Sequence, residues 1–159
     1  MAEKEIRNAT VLAILPARED RLSLSVAFAD SGWILVFAGN LGEALAVLQS
    51  ILVGVVLCDT RLTGGHTWRE LMSEMLNMEA APPLILADRL ADECLWVEAL
   101  TLGVYDLLAK PFDPKEVLRA VNTACRCHEN RPGRVRNRRQ PQNGSRGSHE
   151  AARAMAASV

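Results

Sequence analysis

The sequence has few aromatic residues and no long apolar run, and both shortages narrow the classes of protein it can encode. Phe, Trp and Tyr make up 4% of the 159 residues, so a core must be built mainly from aliphatic side chains. No uncharged apolar stretch approaches the roughly eighteen residues that a membrane-spanning helix needs. The N-terminus lacks the basic start and apolar stretch of a secretory signal. We therefore expect a cytoplasmic protein without a membrane segment.

Common nucleotide and metal motifs are also missing. The chain has no GxGxxG after its first apolar run and no GxxxxGK[ST] anywhere, so dinucleotide and P-loop sites are not expected. Its four cysteines are Cys58, Cys94, Cys125 and Cys127, and they form neither a CxxC pair nor a Cys/His cluster with zinc spacing. Reduced thiols in the cytoplasm explain this pattern most simply.

The formal net charge of -1 hides an uneven distribution of charge. Residues 1–128 carry 11 Lys and Arg against 17 Asp and Glu, while residues 129–159 carry 7 Arg against 2 Glu. Residues 131–148 contain a single Val and no hydrophobic period, so they cannot bury enough surface to offset the entropy of ordering. We predict one domain over residues 8–128, followed by an Arg-rich, disordered tail over residues 129–159.

Short aliphatic runs alternate with longer segments of helical period. The runs are apolar on both faces, which is typical of parallel strands covered by helices on both sides. We predict strands at Thr10–Leu15, Trp33–Ala38, Gly54–Cys58, Pro83–Ala87 and Val104–Ala109. We predict helices at Asp20–Asp30, Gly42–Ser50 (capped by Asn40), Trp68–Met78, Asp92–Leu102 and Asp113–His128. Because crossovers are right-handed, this order favours an α/β fold with a doubly wound, five-stranded parallel sheet of the flavodoxin-like kind.

Polar residues follow the predicted strands at the edge where a doubly wound sheet binds its ligands. Asp59 directly follows the third run and Lys110 follows the fifth, so we expect this carboxylate and this amine to face each other. Such a pair is either a structural ion pair or part of a functional site, and spacing alone does not decide between them.

These residues taken together resemble the receiver domain of two-component response regulators. Asp59 ends an apolar strand and is followed by a Gly-containing loop, a helix and a stretch ending in Lys110-Pro111-Phe112, which is its most specific part. The resemblance covers about residues 8–128. It implies that Asp59 accepts a phosphoryl group from a histidine kinase or phosphotransfer protein and that Lys110 contacts the phosphoryl oxygens. It also implies that the protein is no enzyme beyond catalysing its own phosphorylation.

One departure from the family pattern concerns the metal site. Two acidic residues normally follow the first strand and hold Mg²⁺, but Leu15 and Pro16 stand in those places and offer no side-chain oxygen. Glu19 and Asp20 lie a few residues further on. They either turn toward the site and join Asp59 as metal ligands, or only open the next helix, where carboxylates favour the helix dipole. Mg²⁺ is the cofactor that the resemblance implies, and the replaced acidic pair argues against it.

A second departure lies at the end of the fourth strand, where the family has a Thr or Ser that donates to the phosphoryl group. Counting from Gly103 and from Pro83 places Asp88 there, and a register shifted by one would place Ala87 there. A carboxylate in that place repels a phosphorylated Asp59, or donates a hydrogen bond if it is protonated. Without a metal ion, we expect the crowding of acidic groups around one lysine to raise the pKa of one of the carboxyl groups.

Receivers commonly signal through the face made by the fourth helix, the fifth strand and the fifth helix. Trp96 and Tyr105 fall on this face; an exposed Trp favours contact with a downstream protein, and a half-buried core position is the alternative for Trp96.

Two functions stay open. One is a stand-alone receiver in a phosphorelay that accepts phosphate on Asp59 and signals by protein–protein interaction. The other is a degenerate pseudo-receiver scaffold that binds partners without Mg²⁺-dependent phosphorylation. The Arg-rich tail is only weak support for nucleic-acid contact.

Overall fold

A computed structural model describes residues 10–90 and 92–129 of the chain. This part forms one five-stranded parallel sheet covered by helices on both faces, which confirms the predicted fold class. The Arg-rich tail predicted from the sequence lies outside the described residues from position 130 on, and so do residues 8 and 9 at the predicted start of the domain. Within the described ranges, no helix combines the length and the apolar character that crossing a membrane requires.

Strands and helices alternate in the order that the apolar runs predict. The strands are β1 Thr10–Ile14, β2 Ile34–Ala38, β3 Val55–Asp59, β4 Leu84–Asp88 and β5 Asp106–Ala109. The helices are α1 Arg18–Phe28, α2 Leu41–Ser50, α3 Trp68–Leu76, α4 Glu93–Thr101 and α5 Pro114–Glu129. A short 3₁₀ turn at Thr63–Gly65, which was not predicted, connects β3 to α3. This turn depends on glycine because Gly64 and Gly65 adopt φ values of 81° and 80°.

Two buried clusters, one on each face of the sheet, form the core. Alternate strand residues such as Val55 and Leu57 pack with Leu24 of α1 and Val121 of α5 on one face. The strand residues between them, such as Val56 and Cys58, pack on the other face against α2, α3 and α4. Because side chains alternate along a strand, each aliphatic run supplies both clusters, which explains why the central strands have polar residues only at their ends.

The outer strands β2 and β5 are only partly buried, which corrects the expectation that every run is covered on both faces. The sheet order is β2-β1-β3-β4-β5, so β2 and β5 are its edges. On β2, Ile34 is 52% exposed and Phe37 is 37% exposed. The aliphatic composition of a strand does not encode its place in the sheet, and the sequence therefore gave no sign of this difference.

The strand order also defines where a ligand crevice lies. β2 is on one side of β1 and the later strands are on the other, so the chain reverses direction across the sheet between β1 and β3. At such a switch point the loops after the strands separate and leave a crevice at the carboxyl edge. Asp59 is the last residue of β3, and Lys110 directly follows β5 at the same edge.

Candidate functional site

The carboxylate of Asp59 lies in the crevice and is bound on both oxygens. The backbone N–H of Arg61 donates to Oδ1 at 3.1 Å, and the ammonium group of Lys110 donates to Oδ2 at 2.5 Å. The Asp59 side chain is 13% exposed, so it is largely shielded but open at one edge. The predicted pairing of Asp59 with Lys110 is confirmed.

Lys110 is held at the crevice by its backbone as well as by its side chain. Its N–H donates to the carbonyl oxygen of Asp88 at 3.1 Å, and the Lys110–Pro111 peptide bond is cis. Burial lowers the pKa of the ammonium group, but hydrogen bonds to Asp20 and Asp59 outweigh it, so the pKa lies above its ordinary value. Lys110 is therefore a permanent positive charge at the carboxyl edge of the sheet.

Asp20 reaches the crevice, whereas Glu19 does not. Asp20 stands in the first turn of α1, is 6% exposed, and its Oδ2 accepts from the ammonium group of Lys110 at 2.8 Å. Glu19 is exposed to solvent. Successive helix residues point about 100° apart, so only one of two adjacent side chains can face the sheet. Asp20 therefore turns toward the site, where its partner is Lys110, whereas Glu19 only opens the helix.

The residues at the end of β1 do not fit a Mg²⁺ site. Leu15 is fully buried in the core and, like Pro16, has no side-chain oxygen. Of the carboxylates at the crevice, Asp20 and Asp59 both bind the Lys110 ammonium group, and Asp88 accepts from the Thr60 hydroxyl. Within residues 10–90 and 92–129, no three His, Cys, Asp or Glu side chains cluster in a way that could hold a metal ion. Mg²⁺ takes carboxylate oxygens as its protein ligands, and the Asp20 and Asp59 carboxylates are already held by Lys110, so the residues present do not fit the ion.

Asp88, rather than Ala87, reaches the crevice at the end of β4. Ala87 is fully buried in the core, whereas the Asp88 carboxylate lies at the edge and accepts at Oδ2 from the Thr60 hydroxyl at 2.8 Å. The same hydroxyl lies 3.4 Å from Oδ1 of Asp59, so it stands between the two carboxylates. Thr60 was not predicted as a site residue. The only available signal was a hydroxyl residue directly after Asp59, beyond the end of the strand.

The Asp88 carboxyl group is stabilised in its charged form. Burial alone would raise its pKa. Hydrogen bonds from the backbone N–H of Leu90 and the Thr60 hydroxyl, together with the charge of Lys110, lower the pKa by more than burial raises it. The net result is a pKa below the ordinary value. The raised pKa expected of one carboxyl group in this cluster is therefore not that of Asp88, which acts as an ionised acceptor and does not donate a hydrogen bond.

Trp96 and Tyr105 line a groove on the face formed by α4, β5 and α5. The groove has a volume of about 430 Å³, and Leu107, Glu116 and Arg119 also line it. Trp96 is 41% exposed, so it is partly covered and partly free for contact. The Tyr105 hydroxyl donates to the sulfur of Cys127 at 3.5 Å, and this bond together with burial raises the pKa of Tyr105 to about 12. Both aromatic residues lie on the predicted face.

The five-stranded sheet in this order, with an aspartate ending β3 and a lysine after β5, defines the class of receiver-like domains. The regulatory protein AtoC of Escherichia coli is 36% identical over 104 residues, which cover 65% of this chain and 22% of AtoC. The C4-dicarboxylate transport transcriptional regulator DctD of Rhizobium meliloti is 30% identical over 122 residues, covering 77% of this chain and 26% of DctD. No family model matches the chain.

Solved structures agree with these relatives. The signal receiver domain of an HD domain-containing protein from Pseudomonas fluorescens has a TM-score of 0.70 at 23% identity, covering 77% of this chain and 90% of that one. The described residues are thus a receiver (CheY-like) domain of the response-regulator type. Receiver domains are signalling modules that typically bind Mg²⁺ and interact with histidine kinases or phosphotransfer proteins. The chain spans about a quarter of the length of the two curated relatives.

Proposed function

We propose that this receiver domain accepts a phosphoryl group on Asp59 from a histidine kinase or phosphotransfer protein and signals by binding another protein. The contact between Asp59 and Lys110 is the observation that carries the proposal. A carboxylate is an adequate nucleophile for phosphoryl transfer when the reacting groups are positioned and the charge is compensated. Lys110 provides the positioning and the charge compensation, since its ammonium group is fixed beside the Asp59 carboxylate.

The reaction exchanges one phosphorus bond for another. A carboxylate oxygen of Asp59 attacks the phosphorus atom of the phosphohistidine, and the bond from phosphorus to the imidazole nitrogen breaks. The imidazole leaves with the electron pair of that bond. The aspartyl phosphate carries about two negative charges where the Asp59 carboxylate carried one, and it lies in a crevice where Asp20 and Asp88 already face the same lysine. We therefore expect slow transfer, because Lys110 compensates this charge alone.

A second candidate function is a pseudo-receiver scaffold that binds its partner without phosphorylation. The ionised state of Asp88 favours it, since a carboxylate at this position repels a phosphoryl group where a hydroxyl would bind it. In this case the groove beside Trp96 and Tyr105 would contact the partner protein in the unmodified domain.

Treatment with a small phosphodonor separates the two functions. The protein is incubated with acetyl phosphate and Mg²⁺, and its intact mass is measured. We expect about one added phosphate on the wild type, none on Asp59→Asn, and the wild-type result on Glu79→Gln, which removes an exposed acid elsewhere. If the wild type gains no phosphate and its NMR spectrum does not respond to beryllofluoride, the scaffold function replaces the phosphoacceptor function.

Other parts of the proposal concern the cell and the whole chain. A cytoplasmic location accords with the four cysteines, none of which forms a disulfide bond within the described residues. Contact of the Arg-rich tail with nucleic acid stays a prediction.

A further inference from the structure

We propose that the ammonium group of Lys110 takes the place of a divalent cation in this crevice. It is the counter-ion that Asp20 and Asp59 share, and while it is present the crevice is closed to Mg²⁺. This inference goes beyond the proposed function and does not depend on phosphorylation of Asp59.

The geometry of the three side chains is the first argument. The Lys110 nitrogen lies 2.8 Å from Asp20 Oδ2 and 2.5 Å from Asp59 Oδ2, so one cation bridges two carboxylates. The side chains of Lys110, Asp20 and Asp59 are 7%, 8% and 13% exposed, respectively. Little solvent reaches the pairs, and charge-assisted hydrogen bonds of this kind are strong when they are shielded from water.

The elements that carry these residues hold them in this arrangement. Asp20 belongs to the first turn of α1, which is anchored in the core through Leu24 and Phe28. Lys110 is fixed by the bond from its backbone N–H to the end of β4. The Arg21 guanidinium donates to the carbonyl oxygen of Leu15 at 3.2 Å, so this oxygen at the end of β1 is also occupied by a cation.

Competition between the two cations is the second argument. A Mg²⁺ ion between Asp20 and Asp59 would have to displace the Lys110 ammonium group and leave it buried without its partners, which is strongly unfavourable. The ion would gain only two carboxylate ligands, because Leu15 and Pro16 contribute no side-chain oxygen. The Lys110 ammonium group therefore stays bound between Asp20 and Asp59, and Mg²⁺ does not replace it.

Removing the ammonium group should consequently create a divalent-cation site. In Lys110→Met the stem of the side chain is retained, but Asp20 and Asp59 face each other without a cation between them. Their mutual repulsion is relieved when a divalent ion binds. Lys115→Met is the matched control, because Lys115 is an exposed lysine on α5 and its loss changes the net charge equally.

The test follows backbone amide signals by NMR while Mn²⁺, a paramagnetic substitute for Mg²⁺, is added up to millimolar concentration. We expect the signals of Asp20 and Asp59 to keep their intensity in the wild type and in Lys115→Met. They should broaden selectively in Lys110→Met, with at least tenfold tighter binding. Adding Asp20→Asn to Lys110→Met should abolish the broadening, and excess Mg²⁺ should reverse it.

Two results would overturn the proposal. Selective broadening at Asp20 and Asp59 in the wild type would show that the crevice binds a divalent ion despite Lys110. Absence of broadening in a folded Lys110→Met variant would show that the ammonium group does not close the site. Lys110→Gln serves as a second variant if Lys110→Met does not fold, and the wild-type titration decides the first point without any variant. Phosphorylation is not measured, so failure of the proposed function leaves these readouts unchanged.

Discussion

The hydroxyl group of Thr60 joins the acidic side chains at the ends of β3 and β4. It donates to Asp88 at 2.8 Å and leaves a longer contact of 3.4 Å to Asp59. A hydroxyl has one hydrogen to give, so the unmodified domain commits it to Asp88. The Thr60 hydroxyl nevertheless lies within hydrogen-bond reach of both carboxylates.

We predict that Thr60→Val raises the pKa of Asp88 toward its ordinary value and lowers the free energy of unfolding by about 1 kcal/mol at neutral pH. The pKa of Asp88 in the folded protein lies below that of the unfolded chain. Asp88 therefore contributes stability above the unfolded pKa, and this contribution is lost as the pH falls through the folded pKa. The destabilisation by Thr60→Val should accordingly be largest above about pH 5 and shrink in acid.

Urea unfolding over a range of pH, together with an NMR titration of the Asp88 carboxyl carbon, measures both effects. Thr60→Ser is the control, since it keeps the hydroxyl group and should preserve the wild-type pKa. A destabilisation by Thr60→Val that stays constant down to pH 3, with no change in the pKa of Asp88, would contradict the assigned hydrogen bond.

The candidate site could be predicted from the sequence where it depends on strand ends alone. Asp59 and Lys110 were found because parallel strands bring their carboxyl ends to one edge. The position of Asp20 depends on the phase of α1 relative to the sheet, which the apolar pattern of a first turn does not determine. Thr60 lies beyond the regular part of β3, where the alternation of side chains no longer predicts direction.

At the scale of single elements, the start of α2 shows how local chemistry defines a boundary. The Asn40 side chain accepts from the backbone N–H of Glu43 at 2.8 Å, and the Glu43 carboxylate accepts from the N–H of Gly39 at 2.7 Å. Both bonds satisfy N–H groups at or beside the helix start, where the first turn has no partners of its own. The predicted Asn40 cap is confirmed.

We predict that Asn40→Ala lowers the free energy of unfolding by about 1 kcal/mol, because the Glu43 N–H then loses its acceptor. Asn40→Asp, which keeps an acceptor oxygen, should stay close to the wild type. Equilibrium urea unfolding followed by circular dichroism measures both variants. Equal stability of Asn40→Ala and the wild type would indicate that water replaces the cap without cost.

The apolar pattern predicted the order of all elements but not their exact ends. The first helix begins at Arg18 rather than Asp20, because Ala17 leaves the helix start without a side-chain cap that the sequence could reveal. β5 was predicted from Val104, whereas it begins at Asp106. Val104 is buried like a strand residue but lies before the first residue of the strand. Its hydrophobicity predicts that it is buried, but it does not predict whether its backbone joins the hydrogen bonds of the sheet.

At the scale of the whole molecule, the thiol of Cys58 reports on global unfolding. Cys58 lies in β3 and is fully buried between the sheet and the helices on one face. Burial, and secondarily the charge of Asp59, raises the pKa of this thiol far above its ordinary value. Both effects suppress the thiolate that reacts with alkylating reagents. Cys94, by contrast, is exposed on α4.

We predict that iodoacetamide labels Cys94 in the native protein and labels Cys58 only through global unfolding. Peptide mapping by mass spectrometry gives the two rates within one sample, so Cys94 is an internal control. The labelling rate of Cys58 should rise with urea in proportion to the population of unfolded protein. Labelling of Cys58 at a rate comparable to Cys94 without urea would show that β3 opens locally.

The contact between Lys110 and Asp20 joins residues 90 positions apart in the chain. Closing so long a loop is among the slower and entropically more costly steps of folding. During synthesis, a chain that has emerged as far as β4 already carries Asp20, Asp59 and Asp88 but not the lysine. The acidic edge acquires its counter-charge only when the last strand joins the sheet, so the crevice becomes complete only as folding ends.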